Sequence, residues 1–477
     1  MSVINIIETF DMKTIFYSLK WLILIFGISL IISSCKKDID DGSNVAFKKV
    51  NEYNYEIVYE WNNVWTDIER YAEGYRPGPV SNSLGYVGLA SYEACIEGMP
   101  QYNSLASRYS GLKIPQILPN QEYHWPSVVN AVNNYLFSRL FPEVDPSQYI
   151  KIKAINEKYE KQFQSEVGQN VFLRSKNHGE SVAAAIWDWM KTDVVTFDKY
   201  KNVFEDYKWE SRFKKNGDWR ATYPGPGAGM FPYWGNGRTM AINADQKICR
   251  PFSSYAPYSE DSKSGFYAMA LEVMAQNTPS LSYQTEWLGE FWSDDLLGLT
   301  FSPPSRWIAI ANQVYYNEKA NMEEAIVANA KVGIALHDAG IGCWNSKYYY
   351  NLERPQTYIN RLIDPTWKPN LDNPLTGDKG ITPSFPAYPS GHATFSSASA
   401  EVLASVFGYS YGMTDNCHKN RPEFSGYPRT YSSFYEMALE NAWSRVPLGV
   451  HFRMDAEEGV RYGTEIGRTV NRLPWKK

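Results

Sequence analysis

Two of the six histidines stand beside groups that could make them reactive. His392 falls in Tyr388-Pro389-Ser390-Gly391-His392-Ala393, directly ahead of a small-residue run that reads as a helix. A helix start offers free backbone N–H groups and the positive end of a dipole; glycine lets that backbone approach closely, and Ser390 adds a hydroxyl. Together they make a seat for an anion, and a histidine there can act as acid or base on whatever the anion carries. His451 falls in Ser444-Arg445-Val446-Pro447-Leu448-Gly449-Val450-His451-Phe452-Arg453-Met454-Asp455. With helical spacing, Asp455 lies one turn beyond His451 and holds one imidazole nitrogen, leaving the other free as nucleophile or metal ligand.

Cations accompany them. Lys347 and Arg354, in Lys347-Tyr348-Tyr349-Tyr350-Asn351-Leu352-Glu353-Arg354-Pro355, are seven apart, so on one helix both would face one site. Arginine presents a planar fork to a tetrahedral oxyanion and lysine a movable point charge. Lys347, Arg354 and Arg445, with the amides near Ser390 and Gly391, would form a cationic cradle inside an acidic protein. Asp294 and Asp295 read as a helix-end or salt-bridge pair, one of which could brace Arg445. His337-Asp338 reads as a packed pair, and His124, His178 and His418 as ordinary surface or loop residues.

The three blocks occur in the order Lys-x6-Arg-Pro, Pro-Ser-Gly-His, Ser-Arg-x5-His-x3-Asp. So ordered, they resemble the superfamily that joins type 2 phosphatidic acid phosphatases, bacterial acid phosphatases and vanadium-dependent haloperoxidases. The resemblance implies that Lys347, Arg354, Ser390, Gly391 and Arg445 hold the oxyanion and that His451 bonds its central atom. It also implies that His392 is the general acid/base and that Asp455 orients His451. Trp344 and Phe385 match aromatic positions near the vanadate of the haloperoxidases, and Phe385–Ala393 looks more like their version of the block. Phe291-Trp292-Ser293-Asp294-Asp295, Pro303-Pro304 and Trp307 also resemble the bacterial haloperoxidase-like branch. Asn345 departs from the pattern, since some iodide-oxidising relatives carry Asp there.

The function so implied is oxidation of halide, iodide or bromide, by hydrogen peroxide through a histidine-bound peroxovanadate, with vanadate as cofactor. The alternative is a phosphomonoesterase, of acid-phosphatase or phosphatidic-acid-phosphatase type, working through a phosphohistidine without cofactor. A third reading is a non-catalytic, glycan-binding surface lipoprotein, which fits the aromatic content of 15% but not the three intact blocks.

The elements that must position these residues follow from the rest of the chain. At 477 residues with 44% hydrophobic content, there is material for a large core. With 47 Lys and Arg against 52 Asp and Glu, no basic excess exists to neutralise a nucleic-acid backbone. Lys13 and Lys20, the apolar run Trp21–Ile32, and Ser33-Ser34-Cys35 read as a signal peptide whose start is Met1 or Met12. Ile32-Ser33-Ser34-Cys35 resembles a lipobox, which implies a lipidated Cys35 and a protein exported and lipid-anchored to a bacterial outer membrane. The expected organisation is a signal at 1–34, a polar tether at 35–45 and a single helical catalytic domain at 46–477. That domain divides into an N-terminal elaboration at about 46–280 and an oxyanion-binding core at about 281–477. Its partners are small molecules; the membrane is met through the lipid alone, and no nucleic acid is expected.

Apolar spacings of three and four predict helices over Glu56–Arg70, Tyr86–Glu97, Ser127–Leu140, Ser147–Gln169, His178–Thr192, Lys263–Asn277, Tyr283–Leu297, Pro304–Asn317, Met322–Lys347, Ala393–Phe407, Phe434–Ser444 and Ala456–Arg472. No sheet stands out. The fold class is all-α, a large helical bundle with long Pro/Gly-rich loops around the active site, notably Tyr223–Trp234, Asp364–Ser390 and Gly408–Ser432.

Overall fold

A computed structural model describes residues 47–276, 283–419, 421 and 426–477. Lys48–Lys477 forms one compact unit; the signal segment, the tether and Cys35 lie outside the described residues. Twelve α-helices occur among the latter: α1 Glu56–Glu69, α2 Gly78–Cys95, α3 Trp125–Leu140, α4 Pro146–Lys191, α5 Gly265–Gln276, α6 Tyr283–Phe291, α7 Pro303–Glu318, α8 Met322–Tyr350, α9 Pro355–Leu362, α10 Gly391–Phe407, α11 Phe434–Ser444 and α12 Arg453–Asn471. Two three-residue strands, β1 Met413–Asp415 and β2 Arg429–Tyr431, pair antiparallel as a small clip. No helix among the described residues is long and apolar enough to cross a membrane. The four cysteines beyond Cys35 are free thiols.

Local chemistry sets the key boundaries. Helix α8 starts at a reciprocal capping box between Asn321 and Glu324 and stops where Asn351 turns left-handed at φ 49°. Ser390 caps α10, its Oγ accepting from the Ala393 amide. The chain expected as two helices, 147–169 and 178–192, runs as α4, broken by Gly168 at φ 74°. Helix α9 was absent from the expectation because Pro355 at its first position serves to start a helix as readily as to end one. Helix α6 stops at Phe291 rather than running on to 297, since Ser293–Asp295 turns to meet the site.

Helices α8, α10 and α12 pack together at the centre, with α2 against the far side of α8 and α11 against α10. On α12, Gly459, Gly463 and Gly467 form a stripe facing α10; a Cβ on Gly463 would lie 2.3 Å from the Thr394 carbonyl oxygen. That contact is closer than any side chain tolerates, so glycine is what lets the two helices touch backbone to backbone. The approach brings the Ser390 amide within 2.9 Å of the Asp455 carbonyl, joining two of the sequence blocks directly.

Candidate active site

His451 is placed by the turn that precedes α12, and Asp455 sits in the first turn of that helix. The expectation of one helix carrying both is therefore corrected: the pair meets across a helix start. Asp455 Oδ2 lies 3.0 Å from His451 Nδ1 and accepts the Phe452 amide, also at 3.0 Å. A carboxylate there holds the proton on Nδ1, which leaves Nε2 with a lone pair. Into that lone pair Arg354 Nη1 donates at 3.1 Å, while the same nitrogen donates to the Val450 carbonyl at 2.7 Å.

Lys347 and Arg354 do face one site, but not from one helix. Lys347 lies in the last turn of α8, the chain reverses at Asn351, and Arg354 caps α9. Lys347 Nζ donates to the carbonyls of Pro386 and Ala387, at 3.0 and 2.9 Å, and Arg354 Nε donates to Phe385 at 2.9 Å. The loop before α10 is thus hung on these cations. Arg445, at the end of α11, reaches Asp295 at 2.5 Å. All three cations are fully buried.

Those three side chains are not saturated. Arg354 Nη2 and Arg445 Nε have no hydrogen-bond partner, and two carbonyl acceptors leave the third Lys347 ammonium proton unspent. At the start of α10 the Gly391 and His392 amides have no carbonyl partner within the helix. Leaving a buried donor unpaired costs about 1–3 kcal/mol, so a donor set of this kind fits a bound oxyanion. Ser390 contributes differently from expectation: its amide donates to the Asp455 carbonyl and its Oγ accepts the Ala393 amide, so its hydroxyl proton is what remains for an anion.

His392 lies at the other side of the floor. Its Nε2 is 3.0 Å from the Ser293 carbonyl and 3.9 Å from Asp295 Oδ1. Donation to a carbonyl fixes the proton on Nε2 and leaves Nδ1 able to take one. Burial, then the Arg445 charge, pushes the His392 pKa down to about 4. Burial first, then Arg354, Lys347 and Arg445, holds His451 well below the ordinary histidine range. Arg354 is itself lowered to about 10, chiefly by burial and with Arg445 opposing its charge. Both imidazoles are neutral in this field, and a bound anion would raise both pKa values.

Trp344 and Phe385 stand beside the cations. Their rings are 4.9 Å apart, Lys347 Nζ lies 5.1 Å from the centre of Phe385, and Arg354 lies 5.0 Å from it. With Gly391, His392, Arg445 and His451 they line one cavity of about 150 Å³. The Trp344 indole N–H donates to the Met230 carbonyl at 3.2 Å, so the Tyr223–Trp234 loop reaches the site. Asn345 points elsewhere, donating to the Lys247 carbonyl at 2.9 Å.

Residues 328–474 match the family model described as the VCPO second helical-bundle domain. Over these residues the chain is similar to vanadium haloperoxidases. The haloperoxidase match contains all the cradle residues named above. The chain is 29% identical over 220 residues to the vanadium chloroperoxidase of Curvularia inaequalis, a stretch covering 35% of this chain and 36% of that protein. It is 32% identical over 94 residues to the vanadium-dependent bromoperoxidase of Ascophyllum nodosum, covering 18% and 17%. These matches therefore span only about a third and a sixth of those haloperoxidases. Likeness in structure is broader. The crystal structure of a bacterial vanadium-dependent iodoperoxidase is similar at a TM-score of 0.75 and 26% identity, covering 89% of this chain and 98% of that one. The fold is also shared with the holo-type bacterial vanadium-dependent chloroperoxidase, at a TM-score of 0.60 and 14% identity, over 87% and 97%.

Some participants in this site left little trace in the sequence. Ser293 acts through its backbone carbonyl, which carries no side-chain signature. Arg306 on α7 is fully buried between Asp294 and Asp415, at 3.4 and 2.8 Å, and it anchors the turn that presents Ser293 and Asp295. His418, expected on the surface, is buried between Arg306 and Asp294 with its ring stacked on Phe301. His124 and His178 are buried too, in aromatic clusters and bonded to Ser127 and to the Ala94 carbonyl. Isolated histidines gave no sequence pattern from which that packing could be read. His337 behaves as expected: it bonds the Arg238 carbonyl, beside an Asp338 that accepts three backbone amides.

Proposed function

We propose that the chain is a vanadium-dependent haloperoxidase oxidising iodide or bromide with hydrogen peroxide. The observation that carries this reading is the arrangement at His451: Nδ1 beside Asp455, Nε2 on the side of Arg354, and unspent cationic donors around it. Nucleophilic nitrogen and oxyanion donors thus face the same space. Vanadate bound there would act as a Lewis acid that activates peroxide towards attack by halide.

Around such an anion the side chains divide the work. His451 Nε2 is the nitrogen placed to bond it, and Asp455 keeps that nitrogen in the correct tautomer. Arg354, Arg445, Lys347, the Ser390 hydroxyl and the Gly391 amide offset its negative charge. His392 Nδ1 takes the proton from an incoming hydrogen peroxide, made basic enough by the anion's charge. Lys347 would offer its remaining proton to negative charge developing on a bound oxygen. Trp344 and Phe385 exclude water from that side. The same donors suit phosphate, and a phosphomonoesterase working through His451 would use them alike. The aromatic pair beside the cations, and the relatives matched, favour the peroxidase.

The test is reconstitution with orthovanadate, followed by peroxide-dependent oxidation of iodide and bromide, with His451→Ala abolishing turnover. Phosphate release that vanadate inhibits, without any peroxidase activity, would overturn the assignment in favour of the phosphatase. We also propose that the protein is exported and lipid-anchored through Cys35. Radiolabelled palmitate incorporated by the full chain and lost in Cys35→Ala is the expected result; equal labelling of both would refute it.

A further inference from the structure

Among the described residues that line the cavity with His392 and His451, one carries sulfur: Met230. The main chain pins it there. Its amide donates to the Ser384 carbonyl at 2.8 Å, and its carbonyl accepts from the Trp344 indole at 3.2 Å and the Tyr348 hydroxyl at 2.8 Å. Met230 is half-buried, so it stays in the wall without being sealed in the core. Most other described methionines are buried; the exceptions, Met269 and Met274, lie half-buried on α5 and do not line the cavity. A thioether is soft and polarisable, and it takes up oxygen where the aliphatic and phenyl groups around it do not.

We propose that Met230 is a modification site: its thioether intercepts hypohalous acid as it forms and becomes methionine sulfoxide, which slows the enzyme until a sulfoxide reductase restores it. This rests on the haloperoxidase reading. Hydrogen peroxide, halide and one proton give hypohalous acid and water; halide loses two electrons and peroxide gains them. The Met230 sulfur then bonds the halogen while the halogen–oxygen bond breaks and hydroxide leaves. Water adds its oxygen to the sulfur, and halide departs. In sum, thioether and hypohalous acid give sulfoxide, halide and one proton; sulfur loses two electrons and the halogen regains them. The new oxygen is polar in an apolar wall, so the side chain gains by turning toward water. Main-chain bonds carry that movement to Trp344 and to Ser384, which precedes the Phe385 carbonyl hung on Arg354.

The experiment uses the full chain loaded with orthovanadate and given hydrogen peroxide with whichever of iodide and bromide it oxidises. Peptide mass spectrometry then compares sulfoxide at Met230 with sulfoxide at Met269 and Met274. A second sample, without peroxide, receives the same hypohalous acid as a reagent from outside. Because the oxidant arises beside Met230, the ratio favouring it should be about tenfold higher in turnover than with the reagent. Met230→Leu, checked for native circular dichroism, should lose its own initial rate about threefold more slowly per turnover. Methionine sulfoxide reductases with a thiol reductant should restore the rate of spent wild type. Equal ratios in the two samples, or a decline in Met230→Leu that matches the wild type, would overturn the proposal and leave the peroxidase reading standing. Failure to oxidise either halide would sink the peroxidase reading itself, and this proposal with it.

Discussion

Asp295 Oδ2 lies 2.5 Å from Arg445 Nη2, and its other oxygen lies 3.9 Å from His392 Nε2. One carboxylate therefore sets both the position of a cradle cation and the charge felt by the candidate base. It raises the His392 pKa against the larger lowering by burial and Arg445. Asp295→Asn removes that support, so the His392 pKa falls further and the acid limb of the kcat/KM profile moves to lower pH. Loss of the brace on Arg445 should also reduce kcat/KM for peroxide, on the order of 10- to 100-fold, as for other outer partners of an anion or metal site. A pH profile of the variant that overlays the wild type would show that Asp295 is a bystander.

Asp455 touches His451 at 3.0 Å and would act on a bound oxyanion chiefly by orienting that imidazole. Asp455→Asn can turn an amide N–H toward Nδ1, which moves the imidazole proton to Nε2 and blocks the nitrogen placed for bonding. Vanadate affinity should drop by about 10- to 100-fold. A readout specific to tautomer is the nitrogen chemical shift of His451: the variant should report a proton on Nε2, and the wild type on Nδ1. Equal vanadate affinity in both proteins would remove Asp455 from the site's machinery.

The sequence exposed the cradle because its chemistry needs charged or titratable side chains at fixed spacing. Lys347, Arg354, His392, Arg445, His451 and Asp455 all come to one cavity or touch a residue that lines it. What escaped notice acts through backbone or through burial. The Ser293 carbonyl that fixes His392 could be any residue, and Arg306 is a lone arginine until Asp294 and Asp415 fold around it. Helical spacing was also over-applied: Lys347 with Arg354, and His451 with Asp455, converge because the chain turns between them. The left-handed Asn351 and the start of α12 do that work, and neither carries a periodic signal. Boundaries failed where glycine or proline had two meanings, as at Gly168 and Pro355.

Close helix contact can be tested apart from chemistry. A Cβ on Gly463 would meet a main-chain carbonyl, which cannot rotate away as a side chain can. Gly463→Ala should destabilise the fold by about 1–3 kcal/mol, outweighing the usual gain in helix propensity from glycine to alanine. Urea unfolding measures this. Because the strained contact lies two turns along α12 from Asp455, vanadate affinity should fall as well. A variant more stable than the wild type would mean that α10 and α12 do not pack backbone to backbone.

Buried neutral histidines make stability depend on pH in a definite direction. His124 and His392 are each lowered to about 4, burial being the main cause, with Lys48 adding to it at the first and Arg445 at the second. His178, His418 and His451 shift the same way, again through burial first. In the unfolded chain a histidine takes up its proton near pH 6.5, so below that value unfolding is favoured. Stability is therefore fully present above about pH 6.5 and is lost progressively as pH falls toward 4. A shift from 6.5 to about 4 corresponds to about 3 kcal/mol for each of His124 and His392. The melting temperature should drop steeply over that window, and His124→Gln should flatten the drop. Phosphate or vanadate should slow it as well, because an anion in the cradle lets His392 accept a proton without unfolding. A melting temperature that stays level from about pH 6.5 to 4.5 would show that these imidazoles are not held neutral by burial.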